Sequence, residues 1–256
     1  MALPELNVGI KYRIKLPVSG NEMEVRPYLV KDEKILLIAM ESDDLSEIIN
    51  AVRTVLKNCT GEQNIDNLSW IDIEYLLLKI KSFSAGEVVD LHVKCHNLIK
   101  KSIIDGLTGE PTKEFKEVKC GVVTDIPVDL SKEIIVDTSK IKDNKVQLTD
   151  TIYMVLRPPR FKLIDKMLTR DAEADMSWDA MAECIDYVVV DDEIIRDYSA
   201  EEVENFLGNF NTKQLQLLRD YVDSLPKIHI LKHFKCSGCG YEQDMELKNF
   251  KDFFPG

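Results

Sequence analysis

The sequence predicts an α+β protein with an N-terminal β-hairpin and helices, a β-rich centre and a helical C-terminal lobe that closes on a cysteine-bearing β element. Three observations carry this reading. Helical apolar spacing fills the stretch from Asp32 to Gly86 and returns after Pro158-Pro159. β-branched runs at short spacing occupy the segment between. Near the end, Cys236-Ser237-Gly238-Cys239-Gly240 stands between two strand-like runs. No low-complexity linker interrupts the chain, so it reads as one compact unit over 1–256, with lobes of about 1–157 and 158–256.

Taken in order, Tyr12-Arg13-Ile14-Lys15-Leu16 alternates apolar and charged residues, Ser19-Gly20-Asn21 has turn chemistry, and Met23-Glu24-Val25-Arg26 returns. Pro27 then removes a backbone donor and ends pairing. A first helix is expected with Asp32 as its cap. Ser42, Asp43 or Asp44 can cap a second, whose apolar face is Leu45, Ile48, Ile49, Val52, Val55 and Leu56. A third follows Leu68-Ser69-Trp70, with Asp72 and Glu74 in its first turn, where negative charge suits the helix dipole.

Strands are expected around Val88–Cys95, Val118–Leu130, Ile134–Val136, Val146–Leu148 and Ile152–Leu156, and Asp105 to Pro111 reads as an inserted loop. The last third is expected to hold helices near Phe161–Thr169, Trp178–Tyr187, Ala200–Phe206 and Thr212–Ser224. Ser199 and Glu202 have capping-box spacing, and Thr212 is a second cap.

The cysteines carry the chemistry. Two thiolates at Cys-x-x-Cys spacing can share one metal ion, and a tetrahedral zinc needs four ligands. Cys95 and Cys120 are the best candidates for the other two. Each ends a strand-like segment, and Cys120 precedes Gly121 as Cys239 precedes Gly240. Zinc held by Cys95, Cys120, Cys236 and Cys239 would be a structural staple, and the final β element is then zinc-knuckle-like. A site using a histidine, such as His96, and no metal at all are the other two readings. Cys59 and Cys184 lie in apolar patterns and read as buried free thiols.

Composition narrows the function. The 256 residues are 45% hydrophobic and 30% charged with a net charge of −12, which argues against a phosphate-backbone binder. No apolar run approaches the roughly 20 residues of a membrane span. The N-terminus lacks the features of a signal peptide, so a cytosolic site of synthesis is expected. No nucleophile elbow, Walker loop or dinucleotide turn is present. A deaminase needs a glutamate two residues after its first ligand and a Pro-Cys-x-x-Cys run; here Lys235 precedes Cys236. A redox Cys-x-x-Cys opens a helix, whereas this one lies between strands. The acidic runs at Asp171–Asp175 and Asp191-Asp192-Glu193 read as solvated turns, and Phe250, Phe253 and Phe254 as packing.

Several segments together resemble the baseplate hub-assembly proteins of T-even-like contractile-tailed bacteriophages. They are Tyr12–Pro17 with its turn, Val25-Arg26-Pro27-Tyr28-Leu29-Val30-Lys31-Asp32-Glu33, Met40-Glu41-Ser42, Val55–Cys59, Asp72–Lys79 and Ser82-Phe83-Ser84-Ala85-Gly86-Glu87. The helical third, Pro226, the paired cysteines and Phe253-Phe254 complete the likeness. One departure is that the strand after Gly86-Glu87 ends, in the family, in a close cysteine pair. Here 24 residues separate Cys95 from Cys120.

The resemblance implies a non-enzymatic hub subunit or hub-assembly factor that works through contacts with other baseplate hub and tail proteins. It would be found in the host cytoplasm during assembly or in the virion tail, with oligomerisation open and neither nucleic acid nor membrane as partner. The alternative is a zinc-ribbon adaptor in transcription or another nucleic-acid process, which requires a basic face around the knuckle.

Overall fold

A computed structural model describes residues 9–42, 44–104, 110–163 and 181–247. The chain divides into two units. The first comprises Met1–Ser84 and Ile135–Ile228 with Gly256, and the second Ala85–Ile134 and His229–Pro255. The protein is α+β, as its sequence predicts.

The first unit begins with the expected hairpin, β1 (Tyr12–Lys15) against β2 (Glu22–Val25). Helix α1 (Val30–Glu41) starts earlier than expected, with Leu29 as its N-cap. Asp32 sits inside the first turn and does more than cap it. Its carboxylate is fully buried and accepts from the Leu29 N–H at 3.0 Å, Arg26 Nη1 at 2.9 Å and Asn58 Nδ2 at 2.9 Å. Burial works to raise its pKa, but these donors outweigh it and hold the carboxyl below the ordinary value.

Asp44 caps α2 (Leu45–Thr60), accepting from the N–H groups of Ser46 and Glu47. Of the predicted apolar face of α2, Ile48, Ile49, Val52, Val55 and Leu56 are buried, whereas Leu45, in the first turn beyond the Asp44 cap, is exposed. Helix α3 (Trp70–Ala85) buries residues on nearly every side, including Ile73, Leu76, Leu77, Leu78 and Ile80. A helix apolar all round belongs in a core. Asp72 in its first turn accepts the Val18 N–H at 2.9 Å and the Ser19 N–H at 3.2 Å, which anchors the β1–β2 turn to the helix.

The rest of the first unit is an antiparallel sheet covered by helices. Its strand order is β11 (Glu193–Ile195), β10 (Ile185–Val190), β9 (Ile152–Leu156), β8 (Lys145–Gln147). Here the structure corrects the sequence reading: Ile185–Tyr187, expected to close a helix, open strand β10 instead. Asp191 and Asp192 make the β10–β11 turn, both at positive φ (48° and 68°). Helices α4 (Ala200–Gly208) and α5 (Thr212–Ser224) pack Leu207, Leu218 and Tyr221 against Met154, Leu156 and Ile185. Ser199 and Glu202 form the expected capping box; Asn211, one residue before the expected cap, starts α5. Most of Phe161–Thr169, together with Asp171–Asp175, Lys248 and the terminal phenylalanines, lies outside the described residues. A short strand, β7 (Ile135–Asp137), begins the second stretch of this unit.

The second unit is built from hairpins. Strand β3 (Val88–Lys94) pairs with β6 (Val123–Asp129), and between them the chain makes an antiparallel ribbon, β4 (Leu98–Ile104) with β5 (Pro111–Lys119). The strand-like segment expected to end at Cys120 is the latter part of β5; β4 and its pairing with β5 were not expected. Strand β12 (Lys227–Lys235), whose first two residues belong to the first unit, turns through the cysteine knuckle into β13 (Glu242–Leu247). Burial along β12 alternates through Ile228, Ile230 and Phe234, and Phe234 is placed beneath the cysteines.

Candidate metal centre

Four thiols meet at the tips of two hairpins. The Sγ atoms of Cys95, Cys120, Cys236 and Cys239 all lie within 4.8 Å of one another. Cys95 and Cys239 are 3.7 Å apart, as are Cys120 and Cys236. A disulfide needs a sulfur–sulfur distance near 2.05 Å, and all four cysteines are free. A cation held tetrahedrally at about 2.3 Å from each sulfur would set them about 3.8 Å apart. The cluster thus has the ligand type, number and spacing to hold a metal ion.

The backbone explains why the sulfurs converge. In the contiguous knuckle, the Cys236 N–H donates to the Tyr241 carbonyl at 2.8 Å and the Gly240 N–H to the Cys236 carbonyl at 3.0 Å. The other half-site repeats this pattern across an insertion. The Cys95 N–H donates to the Val122 carbonyl at 2.9 Å, and the Gly121 N–H to the Cys95 carbonyl at 3.0 Å. Gly121 and Gly240 have φ of 71° and 72°, a conformation L side chains rarely adopt. The 24 residues between Cys95 and Cys120 leave the knuckle intact because the Cys120 N–H closes the base of the ribbon on the Asn97 carbonyl at 2.8 Å.

The hairpins also touch beside the thiols. The Ser237 N–H donates to Thr124 Oγ1 at 3.1 Å, and the two hydroxyls lie 3.0 Å apart. At Gly238 an added Cβ would come within 2.6 Å of Val122 Cγ2 and 3.0 Å of its Cβ. Val122 is stiff at χ1 and cannot swing aside cheaply. Glycine at 238 is therefore a condition for the two knuckles to meet.

The thiols differ in acidity. The Cys239 backbone amide, aided by that of Gly238, pulls Cys236 down to about 6. Desolvation, reinforced by the neighbouring sulfurs, pushes Cys95 up to about 12. Within the cluster Cys236 is thus the sulfur that most readily becomes thiolate and Cys95 one that holds its proton. A divalent ion relieves the repulsion and draws off the remaining protons.

The histidines stand outside the cluster. His96 is exposed, His92 pairs with Asp125, and His233 with Asp244 at 2.9 Å and Glu242 at 3.7 Å. The buried thiols Cys59 and Cys184 also stand apart, raised by burial to about 11 and about 12. Sequence reasoning missed Asn97, whose Nδ2 lies 3.7 Å from Cys239 Sγ, and Thr124. Their polar side chains beside ligand-bearing turns are the only sequence signal for either.

Among the described residues no helix is long and apolar enough to cross a membrane. Neither the curated proteins nor the solved structures yield a match. The model of the family described as T4 bacteriophage base plate protein matches residues 9–255, which takes in the hairpin, both units and all four cysteines. The chain belongs to the T4 bacteriophage base plate protein family.

Proposed function

We propose that this chain is a non-enzymatic baseplate hub subunit or hub-assembly factor, stapled by one structural zinc at Cys95, Cys120, Cys236 and Cys239. The family match over nearly the whole chain carries the baseplate reading. The four converging thiols support the zinc. Four thiolates close the coordination sphere and leave no position for water or substrate, so the ion serves shape and not hydrolysis.

Two residues of the pairing lie 144 positions apart and the other two 116, so the site would tie the centre of the chain to its end. The chain's own residues do the rest. The knuckle amides stabilise thiolate at Cys236, Gly238 admits Val122, and Phe234 and Ile126 keep water from the inner side of the cluster.

The work of the protein is then to present fixed surfaces to other hub and tail proteins, in the host cytoplasm during assembly or in the finished tail. The adaptor alternative needs cations free to meet phosphates around the knuckle. Two of the cations nearest Cys236 are already paired, Lys235 with Glu242 at 2.6 Å and Lys232 with Glu133 at 2.6 Å, which weighs against it.

Removing the gene from its phage tests the reading. Tails without a completed hub, restored by supplying the gene in trans, are expected. Normal hubs and infectious particles in its absence would contradict it.

A further inference from the structure

Two surfaces, one on each unit, are complementary in both polarity and charge. The first is the β4–β5 ribbon, a two-stranded sheet among the described residues. Cross-strand register puts Leu98 and Phe115 on one face, and they are 59% and 62% exposed. The same face carries Lys100 and Lys119 against the carboxylate of Glu117. Over both strands the ribbon has five lysines and two glutamates, in a chain whose net charge is −12. An apolar face this open on a ribbon with unpaired edges is ordinarily covered by something.

The second surface is a groove in the first unit, between the β10–β11 hairpin and α4, with about 220 Å³ of open space. Its walls are apolar, including Ile195, Tyr198, Val203 and Phe206, and its rim carries Asp197 and Glu202. The Tyr198 hydroxyl donates to the Ile185 and Asp186 carbonyls, so the ring presents only its apolar body. The turn residues Asp191, Asp192 and Glu193 add acid beside it. The nearby cations are engaged: Arg196 lies over the Tyr187 ring at 4.3 Å, and Arg157 pairs with Glu183 and Asp186.

We propose that the ribbon of one copy seats its Leu98–Phe115 face in the acidic-rimmed groove of a second copy. A face that presents Leu98 and Phe115 on either side of the Lys100–Glu117 pair, with Lys119 beside Leu98, meets an apolar trough whose rim carries Asp197 and Glu202, and both are parts of this chain. Because the two patches differ, the contact is head-to-tail, and it propagates to a ring or a filament according to the rotation between copies. The charges orient the encounter and exclude the like pairings, ribbon on ribbon and groove on groove. The inference stands on the two surfaces alone and holds whatever the chain's place in the baseplate.

Sedimentation velocity of the purified full chain tests it, with Phe115→Asp and Ile195→Asp as variants. Both positions are exposed, so each variant should keep the wild-type circular dichroism and melting temperature. Wild type is expected to grow beyond monomer with concentration at low salt and to revert at high salt, where charges more than about 3 Å apart are screened at 1 M. Each variant alone should remain monomeric. An equimolar mixture should form a dimer and stop there, because one variant still has a working ribbon and the other a working groove. A wild type that is monomeric up to its solubility limit overturns the proposal, as does association that either variant leaves intact. Two monomeric variants that fail to complement would also overturn it, since the contact would then not be head-to-tail. A monomeric chain that still completes hubs in its phage refutes this contact and leaves the baseplate reading standing.

Discussion

The two units are held together by different physics. The first buries a large apolar set: α3 is enclosed on nearly every side, and the β8–β11 sheet is sealed by α4 and α5. The second packs Ile126 and Phe234 around its cysteines and buries Leu91, Val128, Leu130, Ile230 and Leu247 along its strands, a smaller set among the described residues. Its β4–β5 ribbon buries almost nothing. A unit assembled from hairpins around a core of this size gains from a staple, as small domains do. The lesson is that the proposed metal centre would supplement core volume in the second unit, which the first does not need.

The largest expected effect follows directly. Chelation or Cys239→Ser should unfold the second unit while the first persists. Structural zinc is worth about 10–16 kcal/mol in small zinc-binding peptides, comparable to the whole stability of a domain, about 5–15 kcal/mol. Hydrogen exchange resolved along the chain should show protection lost in β3, β6, β12 and β13 and retained in α2 and α3. Uniform loss through both units would break the comparison.

Asp32→Ala probes the first unit in the same way. It leaves Arg26 half-buried without its partner and should cost about 3–5 kcal/mol, the scale for a broken buried pair, with the second unit's protection unchanged. The pH dependence has a definite sign. The folded-state pKa of Asp32 is depressed, so its contribution is present above the ordinary carboxylate value. It is lost as pH falls through the folded value below 3.8. The gap between wild-type and Asp32→Asn melting temperatures should be constant near neutrality and close in acid.

A smaller effect is expected at the junction of the knuckles. Gly238→Ala forces a methyl against Val122 and should destabilise the second unit by about 1–3 kcal/mol, the usual cost of overpacking. Gly238→Ala combined with Val122→Ala should recover part of that loss; no recovery would mean the clash is not the cause. The smallest change is a gain. Asp192 holds φ of 68° in a two-residue hairpin turn that favours glycine there. Asp192→Gly should stabilise the first unit by about 1 kcal/mol, read as a higher melting temperature.

What the sequence made legible was local or chemically marked. The β1–β2 hairpin, the α2 face and the Ser199–Glu202 box each have their determinants within a few residues. The four cysteines could be grouped because a tetrahedral ion needs four ligands and both half-sites carry a Cys-Gly turn.

The β4–β5 ribbon was not legible. Leu98-Ile99-Lys100-Lys101-Ser102-Ile103-Ile104 shows no alternation, because with both faces solvated no buried face imposes it. Strand β10 was misread for the opposite reason. Met181, Cys184, Ile185 and Val188 are all buried and happen to fall at helical spacing, while the strand begins within the set. The interleaving of the units is invisible in composition, since no Gly- or Pro-rich linker marks 84/85, 134/135 or 228/229.

The central claim is that one metal ion joins Cys95 and Cys120 to Cys236 and Cys239. Metal content with thiols counted, on wild type, Cys120→Ser and Cys239→Ser, tests it most directly. The account predicts one zinc per chain in wild type and none retained in either variant. It also predicts that only two wild-type thiols, Cys59 and Cys184, stay out of the metal. Wild type without zinc, or zinc that survives Cys120→Ser, would contradict it.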